Sequence, residues 1–220
     1  MARRTPASAT RTPLSRERVL HAAIALADEG GIEALSMRRL AKELGVEAMS
    51  LYNHVANKDE ILDGIVDLVT SEIDLPADGV DWKTAIRRNA ISSRDVLLRH
   101  PWASGLSMSR QSGGPEQFRH SDWRLRTLRE AGFSKDVIYH AFHILEAYVL
   151  GFTGLQLSFP YKGEEFAGMA TTFLQELPAD EYPDLVEHVM QHLEPHDGGE
   201  GGFELGLDLI LDSLESRDAG

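Results

Sequence analysis

The sequence predicts an all-α protein, on three observations. Apolar residues recur every three or four positions along most of the 220-residue chain. No alternating or continuous apolar run reads as a strand. The breaks between periodic stretches hold Gly, Pro, Ser and Asn where helices start and stop. With 42% apolar and 26% charged residues, the chain fits one or two globular domains. The absence of cysteine excludes a disulfide framework, a thiol nucleophile and any cysteine-ligated metal. The N-terminus shows no signal-peptide apolar core, and 147–159 is too short and too polar to span a bilayer, so the expected location is cytoplasmic.

Residues 1–14 carry three Arg, two Pro and no apolar period, and read as a disordered basic arm. Ser15 is placed to cap a first helix through Val19, Ala23, Leu26 and Ala27, which Gly30-Gly31 stops. A short helix from Ser36 puts Met37, Leu40, Ala41 and Leu44 on one face, and Gly45 ends it. A third over 47–55 turns Ala48, Leu51 and Val55 inward. Asn57, with Glu60 three residues on, forms a capping-box signature for a fourth helix running to about Ile73. Residues 76–79 read as a linker. Helices are then expected over 82–100, 102–110, 116–131, 135–159, 162–177, 183–193 and 203–216, with a flexible glycine loop at 197–202. The domain expectation is therefore an arm (1–14), a head (15–73) and a body (80–216).

Charge divides along the same line. Residues 1–58 hold nine Lys and Arg against six Asp and Glu, whereas 59–220 hold 13 against 29, for a net −13 overall. An attraction to nucleic acid must rest on the head alone.

Ser36 to Val55 reads SMRRLAKELGVEAMSLYNHV: two short helices around one glycine turn. That is helix-turn-helix spacing, in which the first helix braces and the second enters the major groove. Leu40, Ala41, Leu44, Val46, Leu51 and Val55 are the expected packing set. Glu47, Met49, Ser50, Asn53 and His54 are left outward, with Tyr52 on the flank, and such groups can meet base edges and phosphates. Lys58, in the first turn of the next helix, sits beside free backbone N–H groups, as a phosphate clamp does.

LSMRRLAKELGVEAMSLYNHVANKDEIL resembles the DNA-binding domain of the tetracycline-repressor family over roughly residues 13–73. LLRHP (97–101), LREAGFS (128–134) and YVLG (148–151) more loosely resemble that family's regulatory domain. The resemblance implies base contact by Arg38. It also implies a recognition surface of Ala48, Met49, Ser50, Asn53 and His54, and phosphate contacts by Tyr52 and Lys58. Ala48 and Met49 stand where the tetracycline repressor has Gln and Pro, so a different operator is expected. Where that repressor grips drug-bound magnesium with a His and a Glu, this chain matches Ser107 and Leu155. The resemblance therefore does not extend to tetracycline as ligand.

In the body, Trp102, Met108, Phe118, Trp123, Phe142, His143 and Glu146 offer mixed aromatic and polar walls for a cavity. Gly151 and Gly154 on the longest apolar helix, with Leu207, Ile210, Leu211 and Leu214 on the last, are expected at a two-fold interface. His188, His192 and His196 have helical spacing, but Val189 replaces the glutamate of a metalloprotease and Pro195 breaks the helix. They read as surface histidines, and no metal or other cofactor is expected. No GxGxxG, GxSxG or HExxH motif is present, and nothing argues for an enzyme. The expectation is a DNA-binding regulator: a homodimeric repressor on a palindromic double-stranded operator, released by a small, mostly apolar organic effector, with no membrane association. The alternative is a helical small-molecule-binding protein or enzyme whose N-terminal bundle is only structural.

Overall fold

Three side-chain caps set the N-terminal architecture. The Ser15 hydroxyl accepts from the Arg18 N–H (3.2 Å) and starts α1 (Arg16–Gly30). The Ser36 hydroxyl accepts from the Arg39 N–H (3.2 Å) and starts α2 (Met37–Leu44). Asn57 Oδ1 accepts from the Glu60 N–H (2.8 Å) and starts α4 (Lys58–Thr70). Each satisfies a helix N–H that has no partner within the helix. The computed structural model describes residues 13–77, 79–110, 113–158, 164–191, 193 and 200–218, and no strand occurs among them. The basic-arm reading falls mainly on 1–12, outside the described residues.

Between α2 and α4 lies α3 (Ala48–Leu51), followed by a tight turn in which His54 and Val55 both donate to the Leu51 carbonyl (2.9 and 3.1 Å). The expected helix over 47–55 is thus a four-residue helix plus a turn: Asn53 and His54 close back three residues, to Ser50 and Leu51, and Val55 alone closes back four. A short 3₁₀ turn, Ile32–Ala34, also joins α1 to α2.

The rest of the chain forms α5 (Trp82–Arg99), α6 (Pro101–Ser109), α7 (Pro115–Glu130), α8 (Lys135–Ser158), α9 (Glu164–Glu176), α10 (Pro183–Gln191) and α11 (Glu200–Asp218). Gly201 and Gly202, expected in a loop, lie in the first turn of α11.

The chain divides into two compact units. The first joins residues 1–72 to 100–118, so α6 and the start of α7 cluster with α1–α4 rather than with the body in which the sequence reading placed them. Its core is Val19, Leu20, Ala23, Leu26, Leu40, Leu51, Ile61 and Ile65, together with Trp102 and Ala103 of α6. Gly64 lets α1 and α4 approach: a Cβ there would lie 2.8 Å from a methyl of Leu20.

The second unit, residues 73–99 and 119–220, packs α5, α8 and α11 around Ile86, Val96, Leu145, Phe203, Leu207 and Leu211. Gly206 lets α11 approach α8, since a Cβ there would meet Tyr148 Oη at 2.2 Å. On the outside, Lys83 pairs with Asp212 and Glu215, and Arg87 with Glu204 and Asp208.

Candidate nucleic-acid interface

The turn between α2 and α3 is fixed by Gly45, whose left-handed backbone (φ 66°, ψ 36°) favours a residue without Cβ. Its N–H bonds the Lys42 carbonyl (3.2 Å) and the Val46 N–H bonds that of Ala41 (3.0 Å), a Schellman closure. Leu40, Ala41, Leu51 and Val55 are buried as expected, while Leu44 and Val46 are half-buried. Burial of Leu51 and Val55 turns the remaining side chains of the segment outward.

Met49 is 74% exposed, Tyr52 and Asn53 are exposed, and Ala48, Ser50 and His54 are half-buried. Arg38 and Lys58 are also exposed. Neither has an ion pair among the described residues, whereas Arg39 pairs with Glu29 and Arg16 with Glu60. Lys42 was missed by the sequence reading. It lies one helical turn after Arg38, exposed and likewise without an ion pair among the described residues; the i, i+4 spacing of two cations was the available signal.

The support under this surface is polar and specific. Glu60 Oε2 accepts the Ala56 N–H (2.7 Å) and its Oε1 accepts from Arg16 (3.2 Å). The bond to Ala56 falls one residue before Asn57, where a capping box would place it. These donors, the Ala56 N–H first, hold the Glu60 carboxyl below its usual range.

Along α4, Asp59 and Asp63 receive the Arg110 guanidinium at the end of α6, and Asp63 foremost pushes that group's pKa up. Asp67 accepts from the N–H groups of Glu116 (2.9 Å) and Gln117 (3.1 Å) at the start of α7. In the same unit, His100 Nδ1 and the Trp102 indole N–H both meet Asp28 Oδ1 (2.8 and 2.7 Å). The sequence reading missed Asp28, Asp63, Asp67 and Arg110, because partners 47–74 residues apart leave no local pattern.

The seven candidate cavity residues divide between the units. Trp102, Met108 and Phe118 belong to the first, where Trp102 is buried against Asp28 and the other two are exposed. Trp123, Phe142, His143 and Glu146 belong to the second; Trp123 is buried, Phe142 half-buried, and His143 and Glu146 exposed. The His143 ring contacts the carbonyl of Tyr139 in its own helix (2.7 Å). None of the seven lines the groove of about 650 Å³ between α8 and α11, which is walled by Val137, His140, Ile144, Leu209, Ile210 and Ser213.

The interface expectation needs a correction. Leu207 and Leu211 are 0% exposed and face the inside of their own subunit, whereas Leu214, largely buried, lines the groove between α8 and α11. Asp208, Asp212 and Glu215 stay toward solvent on the far side of α11, where they pair with Arg87 and Lys83 of α5. What α11 leaves outside is Leu205 and Leu209, with Ile210 half-buried; α8 leaves Ile144, Gly151 and Leu155, with Gly154 half-buried. Among the described residues, nothing outside the glycine's own stretch of helix lies within 4 Å of a Cβ built on Gly151 or Gly154.

Among the described residues no cluster of three potential metal ligands occurs, and no helix is long and apolar enough to cross a membrane. His188 is exposed; His192 and His196 lie outside the described residues.

Comparison with known proteins gives one result along the whole chain. Residues 19–65 match the model described as bacterial regulatory proteins, tetR family, and residues 75–217 match the tetracyclin repressor-like C-terminal domain. An HTH-type transcriptional regulator of Saccharopolyspora erythraea is 34% identical over 93% of this chain and 86% of its own. The class D tetracycline repressor protein of Escherichia coli is 32% identical over 92% and 89%. Among solved structures, the Streptomyces coelicolor TetR family protein ActR in complex with actinorhodin superposes with a TM-score of 0.80 at 29% identity, covering 95% of this chain and 100% of that one.

Proposed function

The chain belongs to the tetracycline-repressor family of bacterial transcriptional regulators, and from that premise we propose that it is a homodimeric repressor released from its operator by an organic effector. The observation that carries the reading is the outward set on and around α3. Met49, Tyr52 and Asn53 are held out by the burial of Leu51 and Val55, between Arg38 and Lys58, two cations without carboxylate partners among the described residues. Side chains of that kind on a short helix after a glycine turn suit base edges in the major groove, flanked by phosphates. Ala48, Ser50 and His54 complete the reading surface. Tyr52, Lys42 and Lys58 are assigned to phosphates.

A dimer is supported by apolar surface that one chain does not cover. Ile144, Leu155, Leu205 and Leu209 stand exposed on α8 and α11. Glycine in a helix interior costs roughly 0.5–1 kcal/mol relative to alanine. Gly151 and Gly154 serve no close contact with other elements among the described residues, which suits close approach by a second copy. In the proposed interface Gly151, Gly154, Ile210 and Leu214 remain from the sequence expectation, and Leu205 and Leu209 replace Leu207 and Leu211.

The effector is placed in the second unit. The chain enters and leaves that unit at 72–73, 99–100 and 118–119, so α5 and α7 each run directly into the segment clamped on α4. An effector that prefers a conformer with a different spacing of recognition helices removes the dimer from DNA by population shift. The experiment is a mobility shift with DNA flanking the protein's own gene, followed by a thermal-shift compound screen. A specific shift reversed by a screened compound supports the reading. No shift at low salt on any such fragment contradicts it.

A further inference from the structure

Among the described residues of the second unit, five polar side chains are buried: Asn89, Ser93 and Arg94 on α5, His120 on α7 and Thr153 on α8. The hydroxyls of Ser93 and Thr153 donate to carbonyls one turn back in their own helices (2.7 Å each). Arg94 is neutralised as well: its guanidinium meets Gln156 Oε1 at 3.2 and 3.1 Å, lies 3.5 Å from the Asp95 carboxylate and stacks 5.2 Å over the Phe203 ring.

Arg124, partly buried on α7 near His120, Trp123 and Leu128 in sequence, is served differently. Its Nε donates to Asn89 Oδ1 (2.9 Å), a neutral acceptor whose own Nδ2 is committed to the Asp74 carbonyl (2.8 Å). Among the described residues no carboxylate lies within 4 Å of it, whereas Lys83 and Arg87 hold two each. Burial pushes the Arg124 guanidinium down, and the more distant charge of Glu146 opposes that. A guanidinium carries five donors and stays charged. Withdrawing it from water is costly unless an anion compensates.

We propose that Arg124 anchors an acidic group of the effector, a carboxylate or ionised phenol on a largely apolar aromatic body, accepted two-pronged by its terminal nitrogens. The assignment rests on the effector-released repressor reading and deepens it. Two oxygens of a planar anion match the guanidinium fork and gain charge-assisted bonds that a neutral isostere lacks. With a net charge of −13 the chain does not attract anions as a whole, so a local cation is what such a ligand requires.

The test uses the full-length protein and a panel of flat bi- and tricyclic aromatic carboxylates, each paired with its methyl ester. Affinity is read by thermal shift and titration, and release by the operator mobility shift. Acids are expected to bind at least tenfold tighter than their esters, and Arg124→Gln to abolish that preference while operator affinity stays within about twofold. Glu146→Gln, at an exposed position, removes the opposing negative charge and should tighten the acids several-fold without changing the esters. Esters that match their acids, acid preference surviving in R124Q, unchanged acid binding in E146Q, or no binding by any acid would each overturn the assignment. Release by a neutral compound alone would overturn it too and leave the repressor reading standing. Wild-type protein that never binds operator DNA would overturn that reading itself.

Discussion

Asn53 and Lys58 are five positions apart, yet they are placed for different chemistry on a duplex. Asn53 is exposed in the turn after α3, where an amide can meet a base edge; Lys58 opens α4, where an ammonium beside free helix N–H groups meets a phosphate. Lys58→Ala is accordingly expected to weaken binding to all duplexes alike and to lower the salt slope of log K by about one, read from titrations at several salt concentrations. Glu60 gives a pH-dependent expectation. Its carboxyl is held below the ordinary 4.5 by the Ala56 N–H and Arg16, so its contribution to stability is present above that pH and is lost as pH falls through the lowered value. Thermal melts should therefore separate wild type from Glu60→Gln at neutral pH and converge under acid. A gap that persists unchanged to the acid end of the range, once carboxylates are protonated, would contradict this origin. The Asn57–Glu60 pair was legible in sequence, because capping is a local rule: like Ser15 and Ser36, it declares itself within four positions.

At the scale of elements, a helix and its apolar stripe are local properties, but the stripe's partner is not. The stripe on α11 was legible, yet Leu207 and Leu211 turned out to pack within the subunit, and salt bridges to Lys83 and Arg87 fix that rotation from more than 100 residues away. Trp102 and Trp123 looked equivalent in sequence and fall in different units, because the chain crosses from the first to the second at Phe118–Arg119, inside α7. The shortness of α3 was hidden for a related reason: Leu51 and Val55 keep the same spacing whether the segment between them is helix or tight turn. The least legible element feature was the hold of α4 on residues 110–117 through Asp59, Asp63 and Asp67. That hold predicts a separable phenotype. Arg110→Ala should leave operator affinity in the absence of effector near wild type and weaken effector-driven release, because it loosens the segment whose hold on α4 the proposed release mechanism requires. Paired operator titrations with and without a releasing compound measure it; equal release in both proteins would contradict the role.

For the whole molecule, the account needs two copies, since one short recognition element reads too little sequence and paired elements about 34–36 Å apart meet successive turns of one groove face. Leu209, 63% exposed on α11, is the position to probe, as it has no interior role to lose. Wild type should sediment as a dimer at micromolar concentration, and Leu209→Asp should shift toward monomer and lose operator affinity. A monomeric wild type, or a dimer indifferent to this change, would remove α8 and α11 from the interface. Operator reading itself is assigned to a smaller region, the exposed face around α3. The most direct measurement is the operator affinity of the Arg38→Ala/Asn53→Ala double variant against wild type at one fixed salt concentration, with folding checked by melting temperature. Each base contact is worth about 1–3 kcal/mol, so the account predicts at least a tenfold loss on the operator together with a relaxed preference between operator and mutated sites. Undiminished affinity and unchanged preference in a folded double variant would contradict it.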